Sequence, residues 1–353
     1  MKKVIAALIA LVVIALMAWG YADAAKHSEG GDPKMPEVKE IIFEHLGDSY
    51  GWEVPFSHTK RIPLPIIVLG NDGSWHLFSS ARITGGETFE GFKIARGGDH
   101  NNKIVETVNG QEVRPKLDFS FTKNACGIFI SAIVVCLIVF GLKRHYKRKG
   151  LKAPRGGMGL VELIVDFVYG DTIKPIMGAE APKYGPYLLT VFFFILTMNL
   201  MGLIVIFPGG ANLTGNIAVT LVLALCTFLI TNFTGTKHYW KEILWPDVPV
   251  ALKCPVPLMP IIELLGIFTK PIALMIRLFA NMMSGHMVVL VFMLLIFIFS
   301  ALFNVAAGGG TTVLSLALSL FMLLLDTLVS FIQAYVFTIL STMFISMAHV
   351  HEE

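Results

Sequence analysis

Residues 274–281 read Leu-Met-Ile-Arg-Leu-Phe-Ala-Asn, and they place a guanidinium group inside a long apolar stretch. Across residues 271–348, only Arg277, His286 and Asp326 carry a charge or readily gain one. A charge near the middle of a bilayer costs from roughly 3 to more than 10 kcal/mol, and arginine cannot lose its proton to avoid that cost. A snorkelling interfacial arginine is the simpler interpretation, but the six residues before Arg277 are all apolar and the eight after it carry no charge. We therefore expect Arg277 to face water or a transient counter-charge.

The composition of the 353-residue chain is that of an integral membrane protein. Hydrophobic residues make up 55% and charged residues 15%, and the mean hydropathy is +0.69. None of the four cysteines falls between residues 26 and 122, which excludes a disulfide framework there. No glycine-rich phosphate loop is found, so nucleotide binding would belong to partners. We predict no cofactor, no metal ion and no nucleic-acid partner.

Residues 1–24 have the parts of a secretory signal peptide: two lysines, an apolar run at 4–20 and the small-residue site Ala22-Asp23-Ala24. The apolar run is long for a signal peptide and short for a membrane span, so an uncleaved anchor is the alternative. In both cases residues 25–122 are expected to be exported.

The exported region is polar and typical of β-structure after one short helix at Pro36–Leu46. An apolar run at Ile66–Leu69 precedes Asn71-Asp72-Gly73, and another at Ile104–Val108 precedes Asn109-Gly110. These are common hairpin turns. The pattern predicts a small region with β-hairpins, and it contains no catalytic constellation.

Continuous apolar length predicts five membrane spans and an all-α membrane domain at residues 123–353. Two of the apolar runs far exceed the roughly 20 residues that cross a bilayer. Each run could contain two spans, but the sequence inside them offers few turn residues at which to divide them. Two long, tilted helices that form a C-terminal hairpin are the simpler interpretation. Its turn would lie at Ala306–Gly310, with a possible kink at Pro271. The expected spans are Ala125–Leu142, Tyr187–Phe207, Ile217–Phe233, Leu258–Phe303 and Thr312–Ala348.

Loop charges predict the orientation. The loop Lys143–Arg155 holds seven Lys or Arg and no acidic residue, whereas Pro208–Asn216 and Asn304–Thr311 hold no charge. The positive-inside rule places the basic loop and the C-terminus in the cytoplasm and the uncharged turns outside. Between the first two spans, Leu160–Val168 is typical of an amphipathic helix on the cytoplasmic surface, with a simple linker as the alternative.

The C-terminal hairpin predicts that polar residues on its two helices meet at equal depth. Arg277 and Gln333, and likewise His286 and Asp326, are symmetric about residue 305 or 306. His286 and Asp326 would then lie outward of Arg277, and Glu263 would lie toward the cytoplasm. Titratable groups on both sides of a permanent positive charge are typical of two proton-access paths separated by a barrier.

The segment Arg277-Leu278-Phe279-Ala280-Asn281, followed by Gly285 and Gln333-Ala334, resembles the a subunit of rotary proton-translocating ATP synthases. The resemblance includes Asn199–Leu203 and Val219–Leu221 and covers roughly residues 125–350. It implies a non-catalytic stator subunit in a bacterial inner membrane. Its partners would be the proteolipid c-ring, the peripheral-stalk subunit b and the rest of the complex.

By this resemblance, Arg277 would be the essential arginine that faces the ring carboxylates, with Gln333 and Asn281 beside it. In many bacterial relatives an acid stands at the position of His286 and a histidine at that of Asp326, so the two types are exchanged here. Asn216 would lie in the external access path and Glu263 near the cytoplasmic exit. The alternative is that both are ordinary polar residues of a loop and of the membrane interface.

Two other classes of function fit the sequence less well. A stand-alone secondary proton-coupled transporter would show inverted repeats and broken helices, and no such repeat is found. A membrane-embedded hydrolase would need a nucleophile with a base, and neither Gly-x-Ser-x-Gly nor His-Glu-x-x-His occurs.

Overall fold

The computed structural model describes residues 47–53, 61–83, 87–95, 102–108, 111–150, 152–154, 156–204, 209–244, 258–302 and 305–349. The predicted signal peptide, the helix expected at Pro36–Leu46 and the turn at Asn109-Gly110 lie outside these residues.

The described part of the chain is mostly helical, in agreement with an all-α membrane architecture. Within the described residues, four segments are long and apolar enough to cross a membrane: Lys123–Lys149, Gly157–Leu203, Ile217–Thr234 and Leu314–Ala348. The helices are α1 (Lys123–Lys149), α2 (Gly157–Val165), α3 (Lys174–Met177), α4 (Ala181–Leu203), α5 (Ile217–Thr234), α6 (Lys237–Leu244), α7 (Leu258–Leu302) and α8 (Val305–Ala348).

The segment between α1 and α4 is helical, so the simple-linker alternative is wrong. A π-helix at Asp166–Ile173 joins α2 to α3, and a 3-10 turn at Gly178–Glu180 leads into α4. Val168 and Ile173 are fully buried in the apolar core of the helices, whereas Leu160 remains exposed. The segment is therefore packed on one side against the membrane helices.

Helices α7 and α8 form the long C-terminal pair, with 45 and 44 residues. Pro271 lies inside α7 without ending it. The turn predicted at Ala306–Gly310 is wrong, because α8 already begins at Val305 and includes Gly308–Gly310. Each helical glycine costs about 1 kcal/mol relative to alanine, whereas an unpaired backbone group in an apolar environment costs several. Continued helical hydrogen bonding therefore outweighs the preference of glycine for turns.

The N-terminal region contains eight short strands among its described residues, in three sheets. The sheet orders are β1-β2, β4-β3-β8 and β5-β6-β7, and every strand pair is antiparallel. The strands are β1 (Gly51–Glu53), β2 (Arg61–Pro63), β3 (Pro65–Leu69), β4 (Trp75–Ser79), β5 (Phe92–Ile94), β6 (Ile104–Val108), β7 (Gln111–Val113) and β8 (Leu117–Asp118). A small core containing Ile66, Val68 and Phe92 holds the sheets together.

The β-region is attached to the helices through Trp52. This side chain is 1% exposed and belongs to the core of the helices rather than to the core of the β-region. Its Nε1 donates to the carbonyl of Gly209, at 2.8 Å, in the loop between α4 and α5. The backbone N–H of Lys123 also donates to the carbonyl of Ser49, at 2.8 Å. The β-region and this loop therefore lie at the same end of the helices.

The C-terminal ends of α5 and α8 meet at a second place. The backbone N–H of Thr236 donates to the carbonyl of Ala348 at 3.0 Å. This contact ties the start of the loop that follows α5 to the end of the last helix.

Candidate functional site

The register of α7 against α8 places the candidate residues of the two helices beside each other. A β-carbon on Gly285 would stand 2.7 Å from Oδ1 of Asp326. The hydroxyl of Ser330 lies 3.9 Å from the sulfur of Met282. Both pairs are symmetric about residue 305 or 306, which is the register that the sequence predicts. Asp326 therefore lies over Gly285, next to His286.

Gly285 leaves the room that Asp326 occupies. A methyl group at Gly285 would be closer to the carboxylate than van der Waals contact allows. Asp326 itself is half-buried on α8. The absence of a side chain at residue 285 thus lets a carboxylate lie directly against the backbone of α7.

His286 is half-buried, and its Nε2 atom is buried with no hydrogen-bond partner among the described residues. This nitrogen lies 3.3 Å from the position that a β-carbon on Gly202 would take. The carbonyl of Ala211 lies 3.4 Å from the same position. No hydrogen bond joins His286 to Asp326 in the structure. A buried imidazole nitrogen without a hydrogen-bond partner costs free energy, so this atom stands out among the buried polar groups of the described residues.

Arg277 points away from the core of the helices. Its neighbours Leu274 and Leu278 are 2% and 1% exposed, whereas Arg277 is exposed and has no ion pair with a described residue. At helical spacing it shares its face with the exposed small residues Ala273, Ala280 and Ser284. This face combines a permanent positive charge with little steric bulk.

Gln333 lies on α8 and is 8% exposed, beside the fully buried Ala334. No hydrogen bond joins its side chain to Arg277. Asn281 is half-buried, and its backbone carbonyl accepts a hydrogen bond from Ser284 at 3.0 Å. Neither residue contacts the guanidinium group of Arg277 through a hydrogen bond in the structure.

Asn216 and Glu263 lie toward opposite ends of the helices. Asn216 caps α5, since its side-chain oxygen accepts from the N–H of Ala218 at 3.0 Å. Glu263 is half-buried near the start of α7. Burial raises the pKa of the Tyr239 hydroxyl on α6, and the charge of Glu263 raises it further. The structure thus gives Asn216 a capping role and places Glu263 close to α6.

A buried polar chain that the sequence prediction missed lies behind these residues. The hydroxyl of Thr214 donates to Oδ1 of Asn199 at 2.7 Å, and Nδ2 of Asn199 donates to the carbonyl of Ser330 at 3.3 Å. All three residues are fully buried. The chain links the loop after α4 to α8 beside the Met282 contact. Isolated polar residues in apolar segments were the available signal, but Asn199 and Ser330 lie 131 residues apart in sequence.

A family model described as ATP synthase A chain matches residues 126–346, well over half of the sequence. The chain belongs to the ATP synthase A chain family. The resemblance predicted from the sequence is therefore confirmed. A second model, described as a domain of unknown function, matches residues 41–124.

Curated relatives named ATP synthase subunit a agree with this assignment. The protein of Chloroherpeton thalassium is 40% identical over 242 residues, which cover 67% of this chain and 68% of the relative. The protein of an Anaeromyxobacter species is 38% identical over 344 residues, covering 94% and 77%. ATP synthase subunit a 2 of Prosthecochloris aestuarii is 38% identical over 334 residues, covering 94% and 85%.

Membership of the ATP synthase A chain family gives the protein its general role. It is a multi-pass membrane protein and a part of an ATP synthase complex. It serves ATP synthesis and proton transport as a membrane-sector subunit that is not itself catalytic.

Proposed function

We propose that this chain is the stator subunit of the membrane sector and that Arg277 faces the proton-carrying carboxylates of a rotating proteolipid ring. The exposed position of Arg277, between the buried Leu274 and Leu278, carries this proposal. The guanidinium would attract a deprotonated ring carboxylate, favour release of its proton and block direct proton flow past itself. The small side chains of Ala273 and Ala280 on the same face would let a ring helix approach closely.

His286 and Asp326 would form the outer half-channel. Two observations support this half-channel. Nε2 of His286 has no partner and lies beside Gly202, and the carboxylate of Asp326 on α8 lies over Gly285, the residue before His286. Imidazole and carboxylate are the groups that carry protons near neutral pH. Asn216, at the N-terminal end of α5, would lie near the mouth of this path in addition to capping its helix.

Glu263 would lie in the cytoplasmic half-channel. It precedes Arg277 by about four helical turns on α7, so the arginine would separate it from the His286 side. Gln333 and Asn281 would lie beside Arg277 and help to orient its side chain. Protons would cross the barrier only on the ring, which couples proton flow to rotation and hence to ATP synthesis.

The proposed topology has five spans, with α7 as the fourth and α8 as the fifth. Residues 1–24 would be a signal peptide, 25–122 a periplasmic region and 123–353 the membrane domain of an inner-membrane protein with a cytoplasmic C-terminus. Two contacts support this arrangement: Trp52 to Gly209 at the expected outer end, and Thr236 to Ala348 at the expected inner end. The peripheral-stalk subunit b would contact the stator away from the Arg277 face.

Cross-linking tests the proposed ring-facing surface. In a cysteine-free complex, Ala280→Cys should form disulfide bonds with a cysteine placed next to the ring carboxylate. Phe129→Cys is the control, because Phe129 is exposed on a different helix, α1. Equal cross-linking at both positions, or none at Ala280→Cys, would contradict the proposed face. A stand-alone transporter, the alternative function, would give no ring cross-link at either position.

A further inference from the structure

The outer face of the β4-β3-β8 sheet is apolar, although it is not part of the core. Antiparallel pairing places Trp75, Leu69 and Leu117 in one row, because Leu69 is directly opposite both of the others. Leu77 is opposite Ile67 in the next row. Trp75, Leu77 and Leu117 are 59%, 73% and 48% exposed.

Phe119 extends the second row. Its backbone N–H donates to the carbonyl of Ile67 at 2.9 Å, and its side chain is 61% exposed. The ring centroids of Phe119 and Trp75 lie 6.2 Å apart. Six apolar side chains therefore form a continuous patch across three strands.

The other face of the same sheet already supplies the core. Ile66 and Val68 are fully buried, and Phe78 is 7% exposed. An antiparallel sheet with one buried face ordinarily has a polar opposite face in water. A continuous exposed patch of this kind marks an interaction surface.

The patch continues onto the lipid-facing side of α1. Phe121 follows Phe119 by two residues, and its backbone N–H donates to the carbonyl of Pro65 at 3.1 Å. The ring of Phe121 lies 5.7 Å from that of Phe129, which is 59% exposed on α1. Ile133 and Leu137 extend the stripe at helical spacing and are 58% and 66% exposed. An apolar stripe on a helix of this hydropathy faces lipid.

The attachment of the β-region fixes the direction of the patch. The backbone N–H of Asn124 donates to Oδ1 of Asp48 at 3.1 Å, in addition to the Ser49 and Trp52 contacts. The hydroxyl of Tyr50, in the same segment, donates to Oδ2 of Asp118 on β8 at 2.9 Å, so the sheet is tied to the start of α1. Lys116 is exposed and immediately precedes Leu117 of the patch, where a cation would meet lipid headgroups.

We propose that the outer face of the β4-β3-β8 sheet lies in the interfacial layer of the bilayer, with Trp75, Leu77 and Phe119 among the lipid headgroups and upper acyl chains. Aromatic side chains are enriched at this depth of a membrane. The β-region would then contact the membrane surface beside the loop at 209–216 and would not be surrounded by water. The proposal does not depend on the role of Arg277.

Spin-label accessibility tests this placement in the intact ATP synthase complex. Nitroxide labels are attached at Leu77→Cys and, separately, at Trp75→Cys in a background without the four native cysteines, in vesicles of phosphatidylcholine and phosphatidylglycerol. Glu112→Cys is the control, because Glu112 is exposed on β7 in a different sheet. Collision rates are measured with oxygen, which concentrates in lipid, and with a water-soluble nickel chelate.

We expect the ratio of oxygen to nickel collisions to be several-fold higher at residues 77 and 75 than at residue 112. A ratio equal to that of the control would mean that the patch faces water, which overturns the proposal. Protection from both reagents would mean that a protein partner covers the patch, which overturns it as well. The two labelled positions guard against loss of a single variant through misfolding.

Discussion

Oδ1 of Asp326 lies 2.7 Å from the point where a β-carbon on Gly285 would stand, so a carboxylate of α8 fills the space of a missing side chain on α7. His286 is the next residue on α7, and its unpartnered Nε2 faces Gly202 of α4. Two glycines thus make room for two titratable groups. This arrangement is the structural basis of the outer half-channel that we propose.

Gly285→Ala should impair proton translocation without preventing assembly. The added methyl group would overpack the contact with Asp326, at a cost of about 1–3 kcal/mol, and would displace the carboxylate. ATP-driven proton pumping in inverted vesicles measures the effect.

Gly266→Ala is the matched control on the same helix, since a β-carbon there would meet nothing within 4 Å. Both changes favour the helix by about 1 kcal/mol, so the difference in pumping between the two variants reports the contact with Asp326. Equal pumping by the two variants would show that the space beside Asp326 is not needed.

His286 and Asp326 should behave as one unit. His286→Ala and Asp326→Ala should each slow proton translocation, and the double variant should be little slower than the slower single variant. The combined exchange His286→Glu with Asp326→His should keep much of the activity, because it retains one imidazole and one carboxylate in the same space. Rates of pumping in vesicles are compared at equal complex content. Multiplicative losses with no recovery in the exchanged variant would mean that the residues act independently.

Trp52→Phe should loosen the loop at 209–216. The variant keeps a buried aromatic ring but leaves the carbonyl of Gly209 without its indole donor, at a cost of about 1–3 kcal/mol. Hydrogen exchange of the loop amides and the thermal stability of the purified complex are the measurements. Trp75→Phe, at an exposed tryptophan of the same region, should change neither. If the loop amides are as protected in Trp52→Phe as in the parent protein, Trp52 does not hold the loop.

Membrane orientation is tested with impermeant thiol reagents on single-cysteine variants. Lys147→Cys and Lys241→Cys should react only from the cytoplasmic side, and Glu112→Cys only from the periplasmic side. All three residues are exposed, so the side of the membrane decides whether they react. Periplasmic labelling at Lys147→Cys would reverse the assignment of the two half-channels.

The sequence predicted the helices well because continuous apolar length is a local signal. Helix α5 begins at Ile217 as expected, and α7 ends at Leu302, one residue before the predicted end. The hairpin register was also predictable, since antiparallel helices pair residues at equal distances from their turn. The glycine turn was not, because glycines remain helical where the backbone has no other hydrogen-bond partners.

The contacts that shape the candidate site were beyond the sequence. Trp52 reaches Gly209, and Thr214 reaches Asn199, through bonds between segments that no periodicity relates. The roles of Gly202 and Gly285 as spaces for titratable side chains depend on the packing of three helices. Residue types indicated which groups could carry protons, and only the packed helices indicated their neighbours.

The decisive measurement is the coupling between proton flow and ATP synthesis or hydrolysis in vesicles that carry Arg277→Ala complexes. Complexes with Arg277→Ala should lose ATP synthesis and ATP-driven pumping and should let protons leak passively through the membrane sector. Arg277→Lys should recover little, because lysine can lose its proton and lacks the planar guanidinium. Lys270→Ala, about two turns earlier on the same helix, should remain coupled. Full ATP-driven pumping by Arg277→Ala complexes would contradict the role of Arg277 as the barrier between the half-channels.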